Sequence, residues 1–183
     1  MLMSEAQADM RRGYLGGAPG VLASSLAWWV AAGVAWFMSP QQAMWALFIG
    51  GMLIHPAGIL IAKVLRASGA HSKGNPLAEL AAANTFWLIF SIALAYAASL
   101  QRVEWFFSAM LLTIGGRYLT FAPLYGMRFY WGLGLALAGA GFATGLLVRE
   151  AAIVAAVGAA IELVAAAVVF TLQGKSARMT ATA

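Results

Sequence analysis

The chain has 183 residues, 63% of them hydrophobic and 9% charged, with a mean hydropathy of +0.84. Soluble domains carry about 25% charged residues, so composition excludes a soluble fold, and the apolar stretches follow one another too closely to leave room for a second domain. The net charge of +5 is spread over the ends of those stretches rather than gathered into a stripe, which argues against nucleic acid, and the absence of cysteine excludes disulfides and thiolate metal sites.

Residues 1–17 read as a short N-terminal segment. Met10-Arg11-Arg12-Gly13-Tyr14-Leu15 faintly resembles a twin-arginine signal, but the apolar stretch from Ala18 to Met38 is longer than a signal h-region and lacks a small-residue cleavage site. An uncleaved first span, roughly Gly20 to Met38, is therefore predicted, ended by Ser39-Pro40. The second runs from about Ala43 to Leu65, and a polar loop with Arg66, His71, Lys73, Asn75 and Pro76 separates it from the third, about Leu77 to Leu100. The fourth, fifth and sixth follow from about Trp105 to Tyr125, Tyr130 to Val148 and Ala151 to Leu172. The fold predicted is all-α: a polytopic membrane protein, one domain over 1–183, with a six-transmembrane-helix bundle in 18–172 and a disordered tail in 173–183.

Lysine and arginine near the span ends set orientation. Arg11, Arg12, Lys63, Arg66, Lys73, Arg128, Lys175 and Arg178 fall on one side and only Arg102 and Arg149 on the other, so both termini are predicted to be cytoplasmic. Ile49-Gly50-Gly51 in span two recurs as Ile114-Gly115-Gly116 in span four, each followed by a proline, Pro56 and Pro123. This suggests a duplicated two-helix hairpin, with chance similarity of apolar sequence as the alternative.

Three ionisable residues interrupt the apolar spans: His55, Arg117 and Glu162. A charge near the bilayer centre costs roughly 2.5 to 3.5 kcal/mol on insertion scales, so such residues usually face a protein interior or a wet cavity. Each lies roughly 11 to 13 residues from the outer end of its span, about 17 to 20 Å deep, and Asn84 enters from the opposite side to a similar level. Thr113, Arg117 and Thr120 stand at helical spacing and make one polar stripe. His55, Asn84, Thr113, Arg117, Thr120 and Glu162 are thus the candidate ligand-binding residues. In this reading Arg117 is the anion-binding or counter-charge group, Glu162 its partner and His55 a titratable group beside a kink at Pro56. The structural alternative is an Arg117–Glu162 pair that only fixes helix register, with His55 as a packing residue.

No catalytic residue is assigned, because no nucleophile, phosphate-loop or paired-carboxylate motif occurs, and no cofactor is implied. One histidine, one glutamate and a nearby arginine make a poor metal set. His71 reads as a solvated loop residue. Gly141 and Gly145 form a small-residue pair that permits tight crossing inside the bundle or a homo-oligomer contact. Trp28 and Trp29, midway along span one, either wall a cavity or fill the bundle.

Asn75-Pro76-Leu77 after a basic loop, Gly115-Gly116-Arg117-Tyr118 followed by Phe121, then Leu124-Tyr125-Gly126 and Tyr130-Trp131, together resemble a family of small bacterial multi-pass membrane proteins, one of the domain-of-unknown-function families. The resemblance covers about Gly16 to Trp131 and implies a bacterial inner-membrane protein; it supplies no reaction, substrate or site. Three functions stay open: a protein that binds or passes a small polar or anionic solute across the lipid bilayer, a structural or partner-binding scaffold, and an intramembrane enzyme acting on a lipid.

Overall fold

The computed structural model describes the backbone of residues 1–181 and the side chains of residues 1–174. All regular structure among these residues is helical: α1 (Met3–Tyr14), α2 (Ala18–Phe37), α3 (Pro40–Val64), α4 (Leu77–Ser99), α5 (Glu104–Tyr125), α6 (Phe129–Leu147) and α7 (Ala151–Ala181). Five stretches are long and apolar enough to cross a membrane, namely Met3–Phe37, which joins α1 to α2, together with α3, α4, α6 and Ala151–Gly174 of α7. The fourth predicted span, α5, is 22 residues long but is not among these five, because it carries Glu104, Thr113, two adjacent glycines, Arg117 and Thr120. The backbone of α7 is described to Ala181, and the last two residues of the tail expected over 173–183 lie outside the described residues.

Short connections turn the chain back after each long helix. The centre of the bundle is α2, α7, α5 and α6, with α3 laid on the outside of α2 and α4 on the outside of α5. Side-chain size explains why these helices approach so closely. A Cβ on Gly115 of α5 would stand 2.6 Å from the Ala138 nitrogen and 2.7 Å from the Gly134 carbonyl oxygen of α6, so that crossing is backbone against backbone. Gly141 repeats the arrangement, since its Cβ would meet the Ser108 carbonyl oxygen at 2.7 Å. Gly145 faces Ser108 as well, so the Gly141/Gly145 pair is used inside the bundle. A Ser108–Thr144 hydroxyl contact of 3.1 Å and a bond from Trp105 Nε1 to the Gly145 carbonyl at 3.0 Å tie the same two helices.

On the other side of the core, Trp28 is fully buried and packs on Gly158 and Phe107, so it fills the bundle, whereas Trp29 points outward. The Ile-Gly-Gly segments do not hold equivalent partners. Gly50 meets Ala27 of the preceding helix, while Gly115 meets the following one.

α1 was not foreseen as an element. Ala6, Met10 and Gly13 are its buried residues and fall at i, i+4 and i+7, the spacing of one helical face. A turn through Leu15, Gly16 and Gly17, all at positive φ, separates it from α2; at Gly17 an added Cβ would also lie 2.6 Å from the Tyr130 hydroxyl. α1 thereby lies across one end of the bundle. Gln7 donates to the Pro123 carbonyl at 2.7 Å and Arg11 to the Tyr125 carbonyl at 2.5 Å, meeting two acceptors that the end of α5 leaves unpaired. Asp9 accepts bonds from Ser72 and Asn75 of the α3–α4 loop, and Asn75 also donates to the Ala6 carbonyl. The Asn75 side chain, then the Ser72 backbone N–H, hold the Asp9 carboxyl below the usual carboxylate range. His71, expected to be solvated, instead lies 3.0 Å from the Tyr14 hydroxyl.

Candidate functional site

Glu162 of α7 is fully buried at the meeting of α2, α5 and α7. The Tyr118 hydroxyl donates to its Oε1 at 3.0 Å. The buried Ser24 hydroxyl of α2 also interacts with the carboxyl, yet Oε2 remains enclosed without a satisfactory hydrogen bond. Tyr118 stacks on Tyr130, with ring centroids 6.0 Å apart and planes 13° from parallel, and the Tyr130 hydroxyl donates to the Gly16 carbonyl at 2.5 Å. An aromatic column therefore joins the carboxylate to the turn that follows α1.

Arg117 precedes Tyr118 and points about 100° away around α5. Its side chain is half-buried over the Phe121 ring, with Cζ 5.6 Å from the centroid. Its charge is close enough to bear on Glu162, but no ion pair joins them among the described residues, and Arg117 Nε is buried without an acceptor. A buried donor on α5 and a buried acceptor on α7 thus each lack a hydrogen-bond partner. Buried polar groups are overwhelmingly paired, and leaving one unpaired costs about 1–3 kcal/mol, more for charged groups. Arg117 Nε can be satisfied by an acceptor and Glu162 Oε2 by a donor, roles that water or a small polar solute can fill.

The other predicted residues divide. Thr120 donates to the Arg117 carbonyl at 2.7 Å and, with Gly116, lines a cleft on the side of α5 that faces α4. Asn84 is buried in that cleft. Thr113 is half-buried on the same stripe of α5. His55 is not with them: it is exposed on α3, which runs unbroken through Pro56 and buries only Ala43, Leu47, Gly58 and Ala62. The structure therefore does not bring His55 together with Arg117 and Glu162.

Ser24, Tyr118 and Tyr130 were absent from the sequence-based site. Two signals pointed toward them: Ser24-Ser25 is a hydroxyl pair inside an apolar span, and Tyr118 follows Arg117 directly. Among the described residues no group of three or more histidine, aspartate or glutamate side chains gathers as a metal site.

Fold and site together define an all-helical protein whose long helices are compatible with membrane insertion and enclose a buried carboxylate. The chain belongs to a family of unknown function (DUF7010), whose model matches residues 3–172. The match extends beyond the Gly16–Trp131 resemblance at both ends, taking in α1 and α7. No curated protein and no solved structure matches the chain.

Proposed function

We propose that this protein crosses a bacterial inner membrane six times, α5 being one of the spans, and binds or passes a small polar or anionic solute at a site made by Ser24, Arg117, Tyr118 and Glu162. A helix enclosed by α4, α6 and α7 does not need an apolar surface all round, which reconciles the composition of α5 with a spanning role. The lysine and arginine bias toward the end covered by α1 favours cytoplasmic termini. The observation that carries the reading is the pair of buried, unpartnered atoms Glu162 Oε2 and Arg117 Nε.

The test is uptake by proteoliposomes of a panel of chloride, phosphate, acetate and glycine. At least one probe is taken up by the wild type, and its uptake falls at least about tenfold in both Glu162→Gln and Arg117→Ala at equal incorporation, consistent with loss of about 1.4 kcal/mol or more per site. No protein-dependent uptake of any probe, or equal uptake in both variants, would defeat the proposal.

The scaffold reading has one observation in its favour, the Tyr118–Glu162 bond that locks α5 to α7. It requires that the double variant Arg117→Met, Glu162→Leu remain folded and keep its cellular role.

A further inference from the structure

A second feature lies on the opposite side of α5 from Glu162. The cleft between α4 and α5 has a volume of about 270 Å³ and is lined by Leu80, Ala83, Asn84, Trp87, Gly116 and Thr120. Its walls are almost wholly apolar, and it opens sideways, where Ala83 and Trp87 are exposed. Asn84 is only 6% exposed and makes no hydrogen bond. Thr120 has already spent its proton on the Arg117 carbonyl, which leaves the Asn84 amide as the buried donor of the cleft, with the indole of the exposed Trp87 at its open side. Asn84 is a largely buried side chain whose amide opens into an apolar cleft, and in hydrocarbon an occupant that accepts from it recovers the roughly 1–3 kcal/mol that an unmade hydrogen bond costs.

The position of the amide selects that occupant. Asn84 is seven residues beyond Leu77, the first residue of α4, and so roughly 10 Å along the helix from the end that α1 covers. The polar layer on each side of a bilayer is roughly 5–8 Å thick, so the amide stands a few ångströms inside the hydrocarbon boundary. At that depth the chief hydrogen-bond acceptors that lipid supplies are acyl-ester carbonyls. The volume lies just below the roughly 300–1,000 Å³ of pockets that enclose small molecules, enough for part of one acyl chain and too little for a whole lipid. Gly116 keeps the chain path clear, since a Cβ there would meet nothing within 4 Å.

We infer that the α4–α5 cleft is a binding site for one diacyl lipid of the leaflet next to α1, with an acyl chain lying over Gly116 and an ester carbonyl accepting from Asn84 Nδ2. The inference rests on the membrane embedding proposed above and is independent of solute binding at Glu162. The lipid would complete the wall that α4 alone leaves open over α5.

The experiment uses the full chain, purified in detergent, exchanged into dioleoylphosphatidylglycerol-containing micelles and read by native mass spectrometry. The wild type retains one phosphatidylglycerol through washing. Gly116→Leu, which fills the cleft from α5 without touching the α6 contact made by Gly115, retains none. Asn84→Leu keeps the apolar walls and loses the amide, so its lipid affinity falls about two- to tenfold, the worth of one hydrogen bond. Should Gly116→Leu fail to assemble, Ala83→Phe fills the same space from the exposed side of α4 and carries the same expectation. Glu162→Gln retains lipid like the wild type, which separates failure of this site from failure of the solute site. Equal retention in the wild type and both cleft variants, a wild type that retains no lipid, or a tightly held isoprenoid or quinone in place of a diacyl lipid would overturn the inference.

Discussion

α3 and α5 begin from similar sequence and end in opposite environments. Each has Ile-Gly-Gly near its middle, an ionisable residue a few positions later and a proline beyond, yet α3 has four buried residues and α5 has twelve, among them Glu104, Ser108 and Tyr118. The difference lies in the number of neighbours. α3 leans mainly on α2, so most of its circumference is free, whereas α5 is held by α4, α6 and α7 and capped by α1. A polar side chain on α5 therefore has a protein interior to enter, and the same kind of side chain on α3 does not. Helices of similar sequence are buried to different extents by what surrounds them.

The comparison is broken most severely at the glycines. Leucine at Gly115 would drive atoms into the Ala138 nitrogen and Gly134 carbonyl of α6, and backbone cannot step aside as a side chain can. Gly115→Leu should cost at or above the upper end of the roughly 1–3 kcal/mol typical of overpacking, seen as a large fall in thermal stability in detergent or as failure to recover monodisperse protein. Gly51→Leu on α3 meets open space and should leave the melting curve almost unchanged. Equal losses at the two positions would mean that α3 and α5 are enclosed alike.

A smaller effect tests the cap on α5. Arg11→Ala removes the donor to the Tyr125 carbonyl at a part-buried position, where water can replace some of what is lost. The expected loss is about 1 kcal/mol, measured as a lower apparent Tm, with faster amide exchange at the end of α5 than at the end of α3. Acid should act on α1 only late. A carboxyl with a lowered pKa contributes stability that is present above its ordinary value of 3.8 and is lost as pH falls through the lower native value, so the Asp9 contacts persist at all but strongly acidic pH. Loss of the α1 contacts between pH 5 and 6 would contradict that assignment.

These differences set the limit of what the sequence discloses. The positions of the long helices and the inward turn of Glu162 follow from apolar length and from the cost of burying charge, both of which are local. His55 obeyed the same local rule and still faces outward, because which side of a helix is inward depends on how many neighbours it has. The α1 cap was missed for a related reason. Gln7, Asp9 and Arg11 read as polar residues of a solvated segment, and only the fold brings them to the α5 terminus and the α3–α4 loop, 116, 63 and 114 positions away in the chain. Some residues that carry the family resemblance did point to the site, since Tyr118, Phe121, Tyr125 and Tyr130 meet in one aromatic cluster. Their spacing made no helical stripe with Glu162, so nothing in one sequence joined them to it.

The smallest effect is expected at the residue that first suggested a shared layer. His55 is exposed on α3, with Met52, Leu53 and Leu60 exposed around it, and it makes no hydrogen bond, so its replacement breaks no contact within the chain. In a membrane the ring meets hydrocarbon, where leucine is at least as well accommodated. His55→Leu should therefore change apparent Tm by no more than about 0.5 kcal/mol equivalent and leave uptake of any transported probe intact, in contrast with the roughly tenfold loss expected for Arg117→Ala. A large loss of uptake in His55→Leu without a loss of folding would require α3 to rotate its exposed face toward α5 during function, and would move the candidate site from the α2–α5–α7 junction to the space between α3 and α5.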